Sequence, residues 1–294
     1  MRVTVSGGSG LIGGRLVSAL RARGDEVTVL SRSGSGGAVA WDPLRGPAPV
    51  AALDGRDAVV NLGGEPIAQR WTASVREAIR ASRITGTANL IAGIEAASSR
   101  PRVLVSASAV GFYGDRGDEL LTEGSPPGED FLAVVCAEWE GAARAAESSA
   151  GMRVCVLRTG VVLDRHGGAL AKMLPAFRLG AGGPVAGGRQ YISWIAIDDL
   201  VSLYVAALDD ERYSGAFNAT APAPVRNGDF SRALGRALHR PAVTPVPGFA
   251  LRLLYGSMAE IVTASQNAVP ARALALGHEF RLASLDAALA AALS

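Results

Sequence analysis

A glycine-rich turn between a short strand and a helix is the feature that most constrains the fold of this chain. The β-branched run Val3-Thr4-Val5 ends at a cluster whose glycines follow a G-x-x-G-x-x-G spacing, at Gly7, Gly10 and Gly13. Glycine tolerates positive φ and allows a phosphate to approach the backbone. The helix pattern that follows, Leu11 to Arg23, directs its free N–H groups and positive dipole end at the same point. The segment therefore predicts a site for the pyrophosphate of a dinucleotide.

The surroundings of this turn are those of a nucleotide-binding unit. A second strand pattern, Glu26 to Leu30, follows at the distance expected for a β-α-β unit. We therefore expect the three glycines to contact the cofactor, together with Leu11 and Ile12 at the start of the helix. A structural turn without a ligand is the alternative interpretation.

Composition excludes several classes of function. The chain has 294 residues, of which 49% are hydrophobic, and a net charge of +2 with scattered basic residues. A large core is therefore expected, and no basic tract indicates nucleic-acid binding. No apolar run reaches the ~20 residues that span a bilayer, and no signal peptide precedes the first strand, so no membrane association is expected. Cys136 and Cys155 lack metal-ligand spacing, which favours a metal-free protein in the reducing cytoplasm.

Strand and helix patterns alternate along the first half of the chain. Apolar strands separated by helices predict a parallel sheet that is covered on both faces. We therefore predict an α/β fold, a Rossmann-like doubly wound parallel sheet over residues 1–164. Residues 165–294, in which glycine-rich loops interrupt the pattern, are predicted to form a smaller C-terminal α/β substrate lobe over the carboxyl ends of the strands.

Several motifs carry a family resemblance over essentially the whole chain. The glycine turn, Asn61–Gly64, Val105–Val110 and Trp194–Leu200 resemble the extended short-chain dehydrogenase/reductase superfamily. More narrowly, the chain resembles the "epimerase family" branch, which comprises NAD(P)-dependent nucleotide-sugar epimerases with a C-terminal domain of unknown function. The segments that carry this narrower resemblance are SASAVGFYGDR (106–116), LRTGVVL (157–163), GALAKM (168–173), GRQYISW (188–194) and the tail around 247–270.

The end of the second strand discriminates between the two nicotinamide cofactors. An NAD enzyme usually carries Asp or Glu there, to bind the ribose 2′-hydroxyl. This chain has Ser31-Arg32-Ser33, with no acid. The Arg32 guanidinium can pair with a 2′-phosphate, and Ser31 is a further donor. The segment therefore predicts NADP, which the resemblance also implies; a solvated surface arginine is the alternative for Arg32.

Other residues are expected along the same cofactor. Leu62 and Gly63, which follow a buried strand, should contact it through their backbone. Arg83 matches a cofactor contact of the resembled family, and the alternative is an arginine on a helix surface. Val162 lies after the last Rossmann strand, in a predicted loop where the nicotinamide end should rest.

The residues that usually catalyse the reaction of short-chain reductases are incomplete. The resemblance implies a Ser that orients the substrate oxygen and a Tyr-x-x-x-Lys pair that handles the proton. Ser108 occupies the serine position, but the positions of the pair hold Leu132 and Cys136. Lys172 is the only lysine, and Gly168 stands four residues before it, so the pair exists nowhere in the chain.

Substitutes for the missing pair can be named, each with a structural alternative. Tyr113, on the loop after Ser108, is the nearest phenol and our candidate acid, and packing of the loop is its alternative. Glu140 matches an acid often found in the resembled family. A polar-aromatic cluster in the second lobe binds a phosphate or sugar in one interpretation and packs the lobe in the other; its members are Arg189, Gln190, Tyr191 and Trp194.

Two hypotheses of function follow. The first is an NADP(H)-binding oxidoreductase or epimerase-like protein that acts on a carbonyl, an alcohol or a nucleotide sugar, without the Tyr-x-x-x-Lys pair. The alternative is a non-catalytic NADP-binding protein that regulates a partner or senses the redox state. In both, a small molecule is the expected ligand, and the resemblance implies a homodimer.

Overall fold

The chain folds around one central parallel sheet. The structure is a computed structural model that describes residues 1–294, except for the side chains of residues 250, 254 and 255. The strands of the described chain are β1 (Arg2–Ser6), β2 (Glu26–Ser31), β3 (Val39–Ala40), β4 (Ala58–Asn61), β5 (Val103–Ala109), β6 (Leu120–Leu121), β7 (Arg153–Thr159), β8 (Val161–Leu163), β9 (Tyr191–Ile192), β10 (Trp194–Ala196), β11 (Gly215–Ala219), β12 (Val225–Arg226) and β13 (Asn267–Ala268).

Helices alternate with these strands. The α-helices of the described chain are α1 (Leu11–Ala22), α2 (Ala73–Glu95), α3 (Phe131–Ser149), α4 (Gly168–Arg178), α5 (Ile197–Asp209), α6 (Asn227–Leu238), α7 (Gly248–Tyr255), α8 (Ala259–Thr263), α9 (Ala271–Ala275) and α10 (Leu285–Leu293). None of the helices described here combines the length and the hydropathy that crossing a bilayer requires.

The order of the strands creates a crevice at one edge of the sheet. Among the described residues, the central sheet has the parallel order β11-β7-β5-β4-β1-β2-β3. β1 pairs with both β2 and β4, in a register that aligns Ser6 with Leu30 on one side and Asn61 on the other. The chain winds outward in opposite directions from this point, so a crevice opens at the carboxyl ends of β1 and β4. The predicted Rossmann-like doubly wound sheet is confirmed.

Helices cover both faces of the sheet, which is why its strands are apolar along their whole length. On one face, α1 and α5 pack against β-strand residues such as Val5 and Val105. On the other, α2 and α3 pack against Val59, Leu104 and Val156. All five of these side chains are buried. α3 therefore lies directly over β5 and β7, the strands that contribute polar residues to the site.

Two helices on this second face begin at side-chain caps. The Thr72 hydroxyl accepts a hydrogen bond from the Val75 N–H at 3.2 Å at the start of α2. The Asp130 carboxylate accepts from the Ala133 N–H at 2.9 Å at the start of α3. Such caps satisfy backbone donors that the first turn of a helix leaves free.

The second half of the chain builds a lobe and also completes the sheet. Trp194, Phe177 and Phe230 form the centre of a separate core, on which α4, α6 and α10 pack. α5 and β11 return to the central sheet, where β11 pairs with β7. The outermost strand of the Rossmann layer thus follows residue 164 in the sequence. The division at residue 164 stays a prediction, since the chain passes between lobe and sheet after that point.

Two glycines inside long helices provide a matched test of this packing. A Cβ at Gly93 would overlap the Ala48 carbonyl oxygen, whereas a Cβ at Gly141 would meet nothing within 4 Å. We expect Gly93→Ala to lower the free energy of unfolding by about 1–3 kcal/mol, because backbone yields poorly. Gly141→Ala should raise it by about 0.5–1 kcal/mol, because alanine favours helix. Urea denaturation measures both, and a stabilised Gly93→Ala protein would contradict the packing of α2.

Candidate functional site

The glycine turn brings α1 close to the ends of β1 and β4. Gly7 has φ +76°, and a Cβ on it would lie 2.7 Å from the carbonyl carbon of Leu62. A Cβ at Gly13 would overlap the Gly7 carbonyl oxygen. The Gly10 N–H donates to that same oxygen at 3.1 Å and closes the turn. No larger residue fits at Gly7 or Gly13, so the turn has the cradle that a dinucleotide pyrophosphate needs.

The first turn of α1 is left free for an anion. Gly10 occupies its N-cap position with no side-chain cap, and no acidic residue lies in the first turn. Leu11 and Ile12, which open the helix, are both partly buried. Because no side chain caps the first turn of α1, its N–H groups and dipole are available to a phosphate.

Leu11 also connects the turn to the lobe. A Cβ at Gly167 would lie 3.1 Å from the Leu11 side chain, and one at Gly168 would lie 3.7 Å from the Val162 carbonyl oxygen. Val162 lies within the short strand β8, paired with Ile195 of β10, and not in the predicted loop. The structure therefore brings the start of α1 and Val162 to the same region, as a cofactor that extends from one to the other requires.

The end of β2 has the predicted residues and a compact turn. The Ser31 hydroxyl accepts a hydrogen bond from the Gly34 N–H at 3.1 Å, so the chain reverses directly after the strand. Arg32 is exposed at this turn. Its guanidinium is thus accessible to a charged group on the cofactor, and its role in binding NADP stays a prediction.

Arg83 lies beside the loop that follows β4. Its Nη1 donates to the carbonyl oxygens of Glu65 and Ile79, at 3.1 Å each, and the guanidinium stacks on the Trp139 ring at 5.1 Å. A Cβ at Gly64 would lie 3.1–3.3 Å from the guanidinium atoms. Burial lowers the pKa of Arg83. Arg83 is therefore no free surface arginine, and it stays a candidate contact next to the Leu62-Gly63 backbone.

Ser108 belongs to a buried charged group at the carboxyl end of β5. Its hydroxyl donates to Glu140 Oε1 at 2.8 Å. Arg158 of β7 holds the same carboxylate with two hydrogen bonds, Nε to Oε1 at 2.8 Å and Nη2 to Oε2 at 2.9 Å. All three residues are at most 4% exposed. Burial acts to lower the pKa of Arg158, but the hydrogen bonds and charge of Glu140, with the Tyr113 hydroxyl, outweigh it and raise the pKa.

The Tyr113 hydroxyl is hydrogen-bonded to the same buried group. Its hydroxyl lies 2.6 Å from Asn218 Oδ1 and 3.0 Å from the Thr122 carbonyl oxygen, and it accepts from Arg158 Nη1 at 3.0 Å. The ring is fully buried, edge-on to Phe112. Burial raises the pKa of the Tyr113 phenol, and the Arg158 charge opposes the rise. These contacts are those of loop packing, so the role of Tyr113 as an acid stays a prediction that the geometry does not favour.

α3 presents neither a phenol nor an ammonium at the positions of the missing pair. The Leu132 side chain faces Gly111, since a Cβ there would lie 3.6 Å from Leu132 Cβ. Cys136 is buried, and burial raises its pKa to about 12, so the thiol stays protonated at neutral pH. Lys172 lies on α4, where its ammonium donates to the Ala68 carbonyl oxygen.

Two members of the polar-aromatic cluster, Gln190 and Trp194, are buried and pack the second lobe, whereas Arg189 is exposed and Tyr191 is partly buried. The Gln190 amide donates to two backbone carbonyl oxygens at 3.1 Å each, and the indole of Trp194 donates to the Ala223 carbonyl oxygen at 3.1 Å. Arg226 lies over the Tyr191 ring at 4.5 Å. Within the described residues, no group of three His, Cys, Asp or Glu side chains could hold a metal ion.

Arg158 and Asn218 are members of the site that no sequence motif identifies. Arg158 ends an apolar strand run, and a charge in a strand that is buried on both faces needs a partner. That signal could have pointed to Arg158, but it could not have identified Glu140 as the partner. Asn218 lies on β11, whose return to the sheet is a property of the whole fold.

Comparisons with known proteins agree with this geometry. A model of the NAD dependent epimerase/dehydratase family matches residues 3–219, and one of a domain of unknown function matches residues 246–292. An epimerase family protein of Arabidopsis thaliana, the chloroplastic SDR39U1 homolog, is 44% identical over 99% of this chain and 86% of its own. An epimerase family protein of Mycobacterium bovis, Mb2239, is 40% identical over 98% of this chain and 96% of its own.

A solved structure extends the similarity to three dimensions. The crystal structure of human epimerase family protein SDR39U1, isoform 2, contains NADPH. It covers all of both chains with a TM-score of 0.92 and 36% sequence identity. The similarity thus includes the lobe as well as the central sheet.

The buried pair can be tested by its response to single and paired substitution. Arg158→Met removes the guanidinium that pairs with the buried Glu140 carboxylate and leaves only the Ser108 hydroxyl and the half-exposed Arg144, 3.5 Å away, so we expect unfolding to require about 3–5 kcal/mol less. Replacing both residues by apolar ones, Glu140→Leu with Arg158→Met, should cost far less, since no buried charge remains. Urea denaturation compares the two proteins. Equal losses in both would show that the charges are not coupled as described.

Proposed function

This chain belongs to the NAD dependent epimerase/dehydratase family, and we propose that within it the protein is an NADP(H)-binding oxidoreductase or epimerase-like enzyme. Its substrate would be a carbonyl, an alcohol or a nucleotide sugar. The observation that carries the proposal is the end of β2, where Ser31 and Arg32 stand in place of an acid, near the uncapped first turn of α1. The NADPH in the human relative supports the choice of cofactor.

Each part of the dinucleotide has residues that suit its chemistry. The glycine turn and the start of α1 would hold the pyrophosphate, and Arg32 would pair with the 2′-phosphate. The Leu62-Gly63 backbone and Arg83 would border the adenosine half, and Val162 the nicotinamide. Bound NADP(H) supplies or accepts the hydride. Ser108 would contact the substrate oxygen, from the same edge of the sheet.

A specific observation also favours a second function. Leu132 and Cys136 occupy the positions of the Tyr-x-x-x-Lys pair; Leu132 has no acidic group, and burial raises the pKa of the Cys136 thiol to about 12, which makes it a weak acid. A protein that binds NADP(H) without turnover, as a regulator or redox sensor, would need no such donor. We rank this function second because a buried Ser108-Glu140-Arg158 group offers a non-catalytic protein no clear gain in stability.

The proposal also covers the partners, the oligomeric state and the cellular compartment of the protein. We propose a small-molecule substrate, no nucleic-acid or membrane partner, and a homodimer, which light scattering after size-exclusion chromatography would detect. We propose a cytoplasmic setting because the thiols of Cys136 and Cys155 are free and buried, as a reducing compartment permits.

Arg32→Ala tests the assignment of the cofactor. Loss of a charge-assisted contact worth about 1.5–3 kcal/mol should weaken NADPH binding by about 10- to 100-fold and leave NADH binding nearly unchanged. Isothermal titration calorimetry with both cofactors gives the ratio of affinities. Arg21→Ala, at the far end of α1, is the matched control. An unchanged NADPH-to-NADH ratio in Arg32→Ala would exclude the proposed role.

The two functions differ in turnover. Absorbance of the nicotinamide is followed with NADPH and a panel of aldehydes, quinones and nucleotide sugars, and with NADP⁺ and the matching alcohols. We expect turnover that falls by at least tenfold in Ser108→Ala, while NADPH affinity stays the same. Tight NADPH binding without turnover on any compound would support the sensor instead.

A further inference from the structure

The Glu140–Arg158 pair holds a third group in a fixed orientation. Two of its hydrogen bonds join the carboxylate to the guanidinium, and the third comes from the Ser108 hydroxyl at 2.8 Å. A carboxylate paired with arginine only accepts hydrogen bonds. Ser108 must therefore donate its single proton to Glu140, and it has none left for a ligand.

The remaining surroundings of Ser108 do not change this polarity. Ser108 is aligned with Arg158 across β5 and β7, and both point towards α3. From α3, the thiol of Cys136 lies beside the Ser108 hydroxyl, and an S–H group is only a weak donor. Leu132, one turn earlier on α3, has no polar atom in its side chain. When the Cys136 S–H occupies one lone pair of the Ser108 oxygen, the second lone pair is left for a ligand at the carboxyl end of β5.

The two oxidation states of a substrate differ in what they offer to such an oxygen. A ketone or aldehyde oxygen has only lone pairs. It therefore forms no hydrogen bond with the Ser108 oxygen, because both atoms are acceptors. An alcohol has an O–H group that can donate to Ser108. Where a buried acceptor determines recognition, the ligand that leaves it unpaired binds less tightly.

We propose that Ser108, oriented by Glu140 and Arg158, is a hydrogen-bond acceptor that selects the hydroxyl form of the substrate over the carbonyl form. Glu140 and Arg158 are positioning residues, since they act through Ser108. This inference rests on the proposed function, because it requires that Ser108 borders the bound substrate. It deepens that function by naming the alcohol as the form that the ligand-binding site is built to hold.

A matched pair of probes tests the polarity directly. Cyclohexanol and cyclohexanone are titrated into the full-length protein saturated with tetrahydro-NADP, an analogue that neither gives nor takes a hydride. Ligand-observed NMR gives the two dissociation constants. We expect cyclohexanol to bind about tenfold more tightly, as one hydrogen bond of this kind provides.

Two variants assign the preference to the residues named. Ser108→Ala should reduce the alcohol-to-ketone ratio of affinities to near one. Glu140→Leu with Arg158→Met frees the Ser108 proton, so the ratio should fall below one. The control for Ser108→Ala is Ser106→Ala, on the same strand. The control for the paired variant is Arg80→Met with Glu138→Leu, which removes an exposed ion pair between α2 and α3. Both should keep the wild-type ratio.

The infrared carbonyl band of bound cyclohexanone gives a second readout, which a purely structural role would not affect. A donor to the carbonyl lowers its stretching frequency. We expect an unshifted band in the wild-type protein and a lowered band in the paired variant. If the paired variant does not fold, the carbonyl band of the wild-type complex and the alcohol-to-ketone affinity ratio of Ser108→Ala still test whether Ser108 is an acceptor.

Several results would overturn the inference. In the wild-type protein these are tighter or equal binding of cyclohexanone, a lowered carbonyl stretching frequency of bound cyclohexanone, or no binding of either probe. In Ser108→Ala it is an unchanged alcohol-to-ketone ratio of affinities. Each of these leaves NADP(H) binding intact. Failure of the protein to bind tetrahydro-NADP or NADPH would contradict the proposed function instead, so the two failures are distinguishable.

Discussion

The close contact between Gly7, Gly13 and the Leu62 backbone is the constraint on which the site depends. It allows α1 to begin directly at the edge of the sheet, with its first N–H groups free. The ends of β2 and β4 converge on that point because parallel strands end at one edge of the sheet. β8, which carries Val162 in a separate two-stranded sheet, is brought there by the close approach of Gly167 and Gly168 to Leu11. A side chain at Gly13 would push α1 away from Gly7 and separate these groups.

A second principle governs the neighbouring strands β5 and β7. There the apolar core gives way to charges, which are acceptable inside a protein only when they are paired. Arg158, Glu140 and Ser108 satisfy one another, and Tyr113 and Asn218 extend the group to the outermost strand. The same bonds that stabilise these charges also fix the direction of the Ser108 proton. The hydrogen bonds that stabilise Glu140 and Arg158 in the core are thus the same ones that determine what Ser108 can bind.

The predicted fold and the outline of the cofactor site depended on local signals. Hydrophobic patterning predicted the strands, and the glycine spacing with Ser31-Arg32 predicted a dinucleotide site, because each signal lies within a few residues of the atoms concerned. Tyr113 shows that local signals do not predict a contact between distant segments. Its closeness to Ser108 in sequence favoured a catalytic phenol, but its hydroxyl is directed to Asn218, more than a hundred residues away. Val162 was placed in a loop because nothing local indicated its pairing with Ile195.

Residue inventory and short-range pattern were sufficient to predict an α/β chain with a dinucleotide site, and to show that its single lysine cannot form the usual Tyr-x-x-x-Lys pair. That conclusion needs no coordinates, because a missing residue is missing in every conformation. The partners of Glu140, the burial of Tyr113 and the polarity of Ser108 came from packing between distant segments. Hydrogen bonds and ion pairs are short-range and directional, so they exist only once the fold has brought α3, β5 and β7 together.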